Sequence, residues 1–329
     1  MITENNLDNY VQRVLKGDRV ALAQAMTLVE SVHPDHLPLA EALLDKLMPY
    51  TGMAKRIGVT GTPGAGKSTF LEALGLELIS QGNRVAIIAV DPSSPISGGS
   101  ILGDKTRMLH LAQEERAFIR PVPSGGHLGG ISQHVRELIV LCEAAGFDIV
   151  IVETVGVGQS ETEVSQMVDC FISLQIAGGG DDLQGIKKGI MEMADLIVIN
   201  KDDGDNGNNV AITRHIYEST LQILRRKYPQ WKPRVLTCSA IEKRGIREVW
   251  RAVSEFYYII QSCGQLNALR QKQAVQWINA KINECALRII FRQKDIQKIL
   301  EKNKRKISLN ELSPRAGLNN VIKFIERKF

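Results

Sequence analysis

The sequence predicts an α/β fold: a mostly parallel β-sheet flanked by helices, preceded by a helical extension and followed by a helical arm. Three observations predict it. From Arg56 onward, short and nearly continuous Val/Ile runs alternate with amphipathic segments of helix length, as strands buried on both faces require. A glycine-rich turn, TGTPGAGKST, joins the first run to the first of those helices. Strand-like runs are confined to the middle of the chain, and helical periodicity alone remains on either side.

Residues 1–54 form the helical extension. VALAQAMTLVESV places Leu22, Ala25, Met26 and Val29 on one stripe, and LPLAEALLDKLM opens with Pro38, which a first helical turn tolerates. Residues 55–262 form the sheet domain, with strands read at RIGVTG, RVAIIAVD, FDIVIVET, CFISLQIAG, DLIVINK and RVLTCSA. Residues 263–329 form the arm. Its first segment, LNALRQKQAVQWINAKINECALRIIFRQ, carries Ala268, Leu269, Val275, Ile278, Ile282, Ala286, Leu287 and Ile290 at helical spacing, and that stripe needs cover. Packing on the parent domain and pairing with a second copy both supply it. The last segment, SPRAGLNNVIKFIERKF, reads as a short amphipathic helix capped by Ser313 with Pro314 at its first position.

With 329 residues, 44% hydrophobic and 23% charged, the chain is long enough for one large core with smaller appendages. A net charge of +5 is small for this length, and the basic residues are dispersed apart from KNKRK at 302–306, read as a solvated helical face. No nucleic-acid footprint is implied. Cys142, Cys170, Cys238, Cys263 and Cys285 form no CxxC pair, which fits buried thiols in a reducing compartment. The start, MITENNLDNYVQRV, lacks the charge and apolar run of a secretion signal, and no stretch approaches the roughly 20 residues of a membrane span. The expectation is a soluble, cytoplasmic protein with neither membrane nor nucleic acid as partner.

The turn fits the phosphate-loop pattern G-x-x-x-x-G-K-[ST] over Gly61, Thr62, Pro63, Gly64, Ala65, Gly66, Lys67, Ser68 and Thr69. Its glycines let backbone N–H groups point at phosphate oxygens, and the following helix offers its positive end. Lys67 would pair with the terminal phosphates and Ser68 would offer a hydroxyl to Mg2+. LIVINKDD then ends a buried strand in Asn200, Lys201 and Asp203, an N-K-x-D spacing whose carboxylate can accept two hydrogen bonds from guanine. Adenine has no such donor pair, so the motif favours GTP. The backbone at Ser239, Ala240 and Ile241, in TCSA, is placed to reach the guanine carbonyl.

Four acidic residues are candidates for the metal and the attacking water: Asp91, Asp104, Glu153 and Asp182. Asp91 and Glu153 close strands, where ligands gather in open α/β sheets, so both are placed near Mg2+. Asp104 lies in a glycine-rich stretch, and for Asp182 a helix N-cap competes with a catalytic role. Gln159 is a candidate for orienting water. Lys188 and Arg107 are candidates for neutralising transition-state charge, against the plainer reading of each as a surface residue.

VTGTPGAGKST, VDPSSP, GSILGDKTRM, ETVGVGQSE, GGGDDLQGIKKG and NKDD, in that order, closely resemble the ArgK/MeaB family, also called LAO/AO transport ATPases, over nearly the whole chain. The resemblance implies a P-loop GTPase that binds GTP and GDP with Mg2+ and forms a homodimer through its C-terminal arm. It implies a chaperone that assists an adenosylcobalamin-dependent methylmalonyl-CoA mutase in cofactor loading and protection. By resemblance GDKTRM, with Asp104, is the first switch and ETVGVGQSE the second, with Glu153 at the magnesium side. GGGDDLQGIKKG, with Asp182 and Lys188, is an additional switch that senses the partner. Two rival classes stand beside this one: an ATPase or kinase linked to lysine, arginine and ornithine transport, and a metal-insertion GTPase.

Overall fold

The computed structural model describes residues 2–31, 33–91, 108–123, 132–154, 160–177 and 188–328. The chain separates into two compact units, Met1–Arg270 and Gln271–Phe329. Among the described residues no helix is long and apolar enough to cross a membrane.

In the first unit three helices come first: α1 (Leu7–Leu15), α2 (Arg19–Val29) and α3 (His36–Leu47). The Asp18 carboxylate caps α2, accepting the N–H groups of Val20 and Ala21 at 2.9 and 3.1 Å. The expected stripe of Leu22, Ala25, Met26 and Val29 is buried. The sequence reading did not include α1, a nine-residue helix that buries Tyr10, Val11 and Val14.

The sheet has seven strands: β1 (Lys55–Gly61), β2 (Val85–Asp91), β3 (Ala117–Pro123), β4 (Ile149–Glu153), β5 (Cys170–Ile176), β6 (Leu196–Asn200) and β7 (Arg234–Thr237). Their order is β3-β2-β4-β1-β5-β6-β7, and every pairing is parallel. Six strands were expected; the seventh is β3. AFIRPVP carries two prolines, which hide a strand in sequence but are tolerated here because β3 is an edge and pairs only with β2.

Among the described residues seven helices follow the strands: α4 (Lys67–Ser80), α5 (Leu109–Gln113), α6 (Ser132–Ala144), α7 (Ser160–Ser165), α8 (Lys188–Met193), α9 (Gly207–Ile223) and α10 (Ile246–Ser262). Alternate strand residues serve opposite faces. Ile88, Val150 and Val152 share a core with the N-terminal helices and α6, whereas Ile87, Ile149 and Ile151 share one with α4 and α10. The extension is therefore one of the layers that cover the sheet.

A charge cluster closes the end of the sheet where β1 and β5 begin. Asp169 accepts hydrogen bonds from the Arg56 N–H at 3.0 Å, the Tyr257 hydroxyl at 3.0 Å and the Arg270 guanidinium at 2.7 and 2.9 Å. Arg270 also reaches the carbonyl of Ala54 at 2.7 Å, and Arg56 is paired with buried Glu143. Burial, and then the Asp169 carboxylate, push the Tyr257 phenol well above its ordinary range, so it remains a donor.

The remaining helices are α11 (Gln265–Phe291), α12 (Lys294–Ser308) and α13 (Pro314–Lys328). Ser313 Oγ accepts the Ala316 N–H at 3.2 Å, so the expected cap is present. The KNKRK stretch lies in α12 and is not wholly solvated, because Asn303 is buried and donates to the Gly317 carbonyl at 2.9 Å. On α11, Val275, Ile278, Ile282 and Leu287 are each more than half exposed.

Candidate functional site

Every described strand runs the same way, so the C-terminal ends of β1, β2, β4, β6 and β7 meet along one edge of the sheet. The pairing sets their levels. Glu153 stands opposite Val59 of β1 and Ala89 of β2, and Gly61 and Asp91 close their strands two residues further on. Asp91 thus ends a strand on the same edge as Glu153, which is itself 7% exposed.

The phosphate loop leaves β1 at Gly61. A side chain there would meet the Leu174 carbonyl oxygen of β5 at 2.3 Å, so the β1–β5 pairing demands glycine. The chain enters α4 through Gly66, at φ +81°, where a Cβ would stand 2.8 Å from the Asn200 amide nitrogen. This is left-handed backbone that glycine alone adopts at little cost. The first N–H groups of α4 have no intrahelical partner, so Lys67, Ser68 and Thr69 present donors and the positive helix end together. Lys67 donates to the carbonyls of Gly61 at 2.8 Å and Thr62 at 3.2 Å, which keeps its ammonium on the loop. Thr62, Pro63 and Gly64 line the exposed side of the turn, with Ala65 buried beneath.

The guanine-side motif assembles around Asn200, which is 2% exposed. Its amide donates to the Ala65 carbonyl at 2.8 Å, and its Oδ1 accepts the Ala240 N–H at 3.0 Å. Lys201 adopts φ +63°, strained for a residue with a Cβ, and this turn separates the inward Asn200 from the outward Asp203. The Asn206 amide donates to the Lys201 carbonyl at 2.9 Å and holds the turn. Asp203 Oδ2 accepts the buried Ser239 hydroxyl at 2.7 Å, which orients the carboxylate. Ile241 is exposed beside this loop. Cys238, beneath it, is pushed up to about 12 by burial and then by Asp202 and Asp203, so it is an inert thiol.

Two contacts were not legible in the sequence. Thr154 donates from its hydroxyl to Thr60 Oγ1 at 2.8 Å in a buried pair, and its N–H reaches the Val59 carbonyl at 2.9 Å. This extends the β4 pairing one residue past Glu153. Arg244 reaches across to the Asp202 carbonyl, and its backbone pairs with Ser239 through bonds of 2.9 and 3.1 Å, closing the Ser239–Arg244 loop. Neither threonines nor a loop arginine carry a spacing signal of their own.

The structure thus brings together the phosphate loop, Glu153, Asn200, Asp203 and Ser239. Asp104, Arg107, Gln159 and Asp182, with Gly156 and Gly158 of the second expected switch, lie outside the described residues. Of Asp91 and Lys188 only the backbone is described: Asp91 ends β2 and Lys188 begins α8. Among the described residues no group of three or more His, Cys, Asp and Glu forms a metal cluster. The cysteines are free; Cys142, Cys170 and Cys238 are buried, whereas Cys263 is exposed and departs from the expected pattern.

Comparison with known proteins agrees with this geometry. A family profile described as "Methylmalonyl Co-A mutase-associated GTPase MeaB" matches residues 22–295. The GTPase ArgK of Escherichia coli strain K12 is 62% identical over 100% of this chain and 99% of its own length. A mouse protein, "Methylmalonic aciduria type A homolog, mitochondrial", is 43% identical over 96% of this chain and 79% of its own. A crystal structure described as LAO/AO transport system kinase superposes with a TM-score of 0.80 at 56% identity, covering 99% of both chains. With a phosphate loop after the central strand β1 and an N-K-x-D motif after β6, the chain belongs to the MeaB/ArgK family of P-loop GTPases.

Proposed function

We propose that this GTPase is a chaperone of an adenosylcobalamin-dependent methylmalonyl-CoA mutase, coupling GTP hydrolysis to cofactor loading and protection. The observation that carries the reading is the family description over residues 22–295, which names mutase association. Relatives named for methylmalonic aciduria, in mouse and two nematodes, support it. The transport-kinase reading has one similar structure's name behind it. The guanine-specific carboxylate held by Ser239 favours the chaperone GTPase, because discrimination among nucleotides is what such a pair supplies.

In this reading Mg2+ is the metal. The Ser68 hydroxyl in the first turn of α4 and the Glu153 carboxylate on the strand beside β1 are oxygen donors, the type a hard dication takes, and Asp91 and Asp104 complete the proposed set. When bound, the ion neutralises charge on the β- and γ-phosphoryl oxygens. Lys67 binds the terminal phosphates, while Asp182 and Lys188 report the partner's presence. The exposed apolar residues of α11 support residues 263–329 as the homodimer arm, and the protein acts in the cytoplasm.

The test mixes purified protein with purified methylmalonyl-CoA mutase and follows complex formation and GTP turnover. A complex that accelerates hydrolysis supports the proposal; the absence of both complex and acceleration overturns it. Deleting residues 271–329, which spares the Arg270–Asp169 pair, should yield monomers by light scattering, and a persisting dimer would refute the arm.

A further inference from the structure

We propose that the groove between α12 and α13 binds a small phosphate-bearing anion. It is a cavity of about 390 Å3, walled by Lys302 and Lys306 of α12 and by Lys323 and Arg327 of α13, with Leu312 and Phe324 among its apolar lining. Residues four apart on a helix stack on one face, so each wall presents a pair of cations to the same space.

Like charges at that spacing oppose one another, and among the described residues none of the four has a carboxylate partner. Lys328, one residue beyond Arg327, does have one, in Asp295 at 3.0 Å. The acids of these two helices, Asp295, Glu301 and Glu326, are absent from the lining. The unit Gln271–Phe329 carries 14 Lys and Arg against 5 Asp and Glu, a net +9 in a chain whose total is +5. The cationic groove is thus the focus of a strongly basic unit.

The walls are fixed in place. Asn303, buried among them, donates to the Gly317 carbonyl, and a Cβ at Gly317 would come within 2.8 Å of Ile307 Cδ1. This close helix approach holds the cation pairs at a set separation. Lysine ammonium groups and an arginine fork suit phosphate oxygens, and an apolar wall accepts the organic part of a phosphate ester. The concavity and its volume, within the range of small-molecule sites, favour a small anion over an extended acidic surface.

The test uses the full-length protein saturated with GDP and Mg2+, so that the phosphate loop is filled, and titrates pyrophosphate by calorimetry. The proposal predicts one pyrophosphate per chain, retained in Lys67→Ala, weakened by salt, and weakened at least about tenfold in Lys302→Gln/Lys323→Gln. Unchanged GDP binding together with an unchanged far-ultraviolet circular dichroism spectrum of that double variant shows that both units fold. Equal pyrophosphate affinity in parent and variant, or no saturable heat at millimolar pyrophosphate, overturns the proposal. A parallel arm floats the protein on phosphatidylglycerol and phosphatidylcholine vesicles. Lysine-dependent binding to the former without pyrophosphate heat would assign the groove to lipid headgroups and also overturn it.

Discussion

Asn200 donates its side-chain amide to the Ala65 carbonyl at 2.8 Å, joining residues 135 positions apart. With Ala240 bonded to the other end of the same amide, one buried side chain fixes the phosphate loop against the Ser239–Arg244 loop. The phosphate loop and the ends of β6 and β7 are therefore tied through one side chain.

Asn200→Ala removes both bonds and leaves two backbone groups buried without partners, at a cost of about 1–3 kcal/mol each. Thermal melting should show a clear loss of stability, and calorimetry a fall in GDP affinity of about tenfold or more. A variant that melts and binds like the parent would show that the bridge is idle.

Ser239 donates to the Asp203 carboxylate at 2.7 Å, and in the proposed reading that carboxylate accepts hydrogen bonds from the base. Asp203→Asn should lose GTP affinity strongly, on the order of 10⁴ in discrimination, and gain affinity for xanthosine triphosphate. Competition binding reads this directly; equal GTP affinity in variant and parent would refute the guanine assignment.

Asp169 gathers Arg56, Tyr257 and Arg270 at the far end of the sheet, and its side chain has no exposure. Asp169→Ala strands a mostly buried guanidinium and should cost about 3–5 kcal/mol, measured as a lower urea midpoint. Nucleotide selectivity should be unchanged, because the cluster lies at the opposite end of the strands from the phosphate loop.

Hydrogen bonds from the Ala21 N–H and from Arg13 hold the Asp18 carboxyl below the usual aspartate range. A depressed folded-state value stabilises the protein above the unfolded-state pKa, about 4, and that contribution is lost as pH falls through the folded value. Asp18→Ala should therefore lower the melting temperature at neutral pH, and the gap to the parent should close below about pH 4. A gap constant from pH 7 to pH 3 would contradict the capping role.

Legibility in the sequence followed local physics. The Val/Ile strands, the Leu22 to Val29 stripe and the Ser313 cap are written in period and spacing, and each stands where expected. Strand β3 was hidden because Pro121 and Pro123 suppress the strand signal, and only its edge position, a tertiary fact, makes them acceptable. In the site, the phosphate loop and Asn200 were legible because their chemistry demands fixed residue types at fixed spacing. The Thr60–Thr154 pair and the Arg244 reach to Asp202 were not, since each joins ordinary residues that only the folded sheet brings together.

The most direct test of the central claim, guanine-nucleotide hydrolysis at this loop, is phosphate release from GTP and from ATP by the parent and by Lys67→Ala. The account predicts turnover of GTP well above ATP in the parent and none above background in the variant. Equal turnover of the two nucleotides, or a Lys67→Ala rate matching the parent, would contradict it.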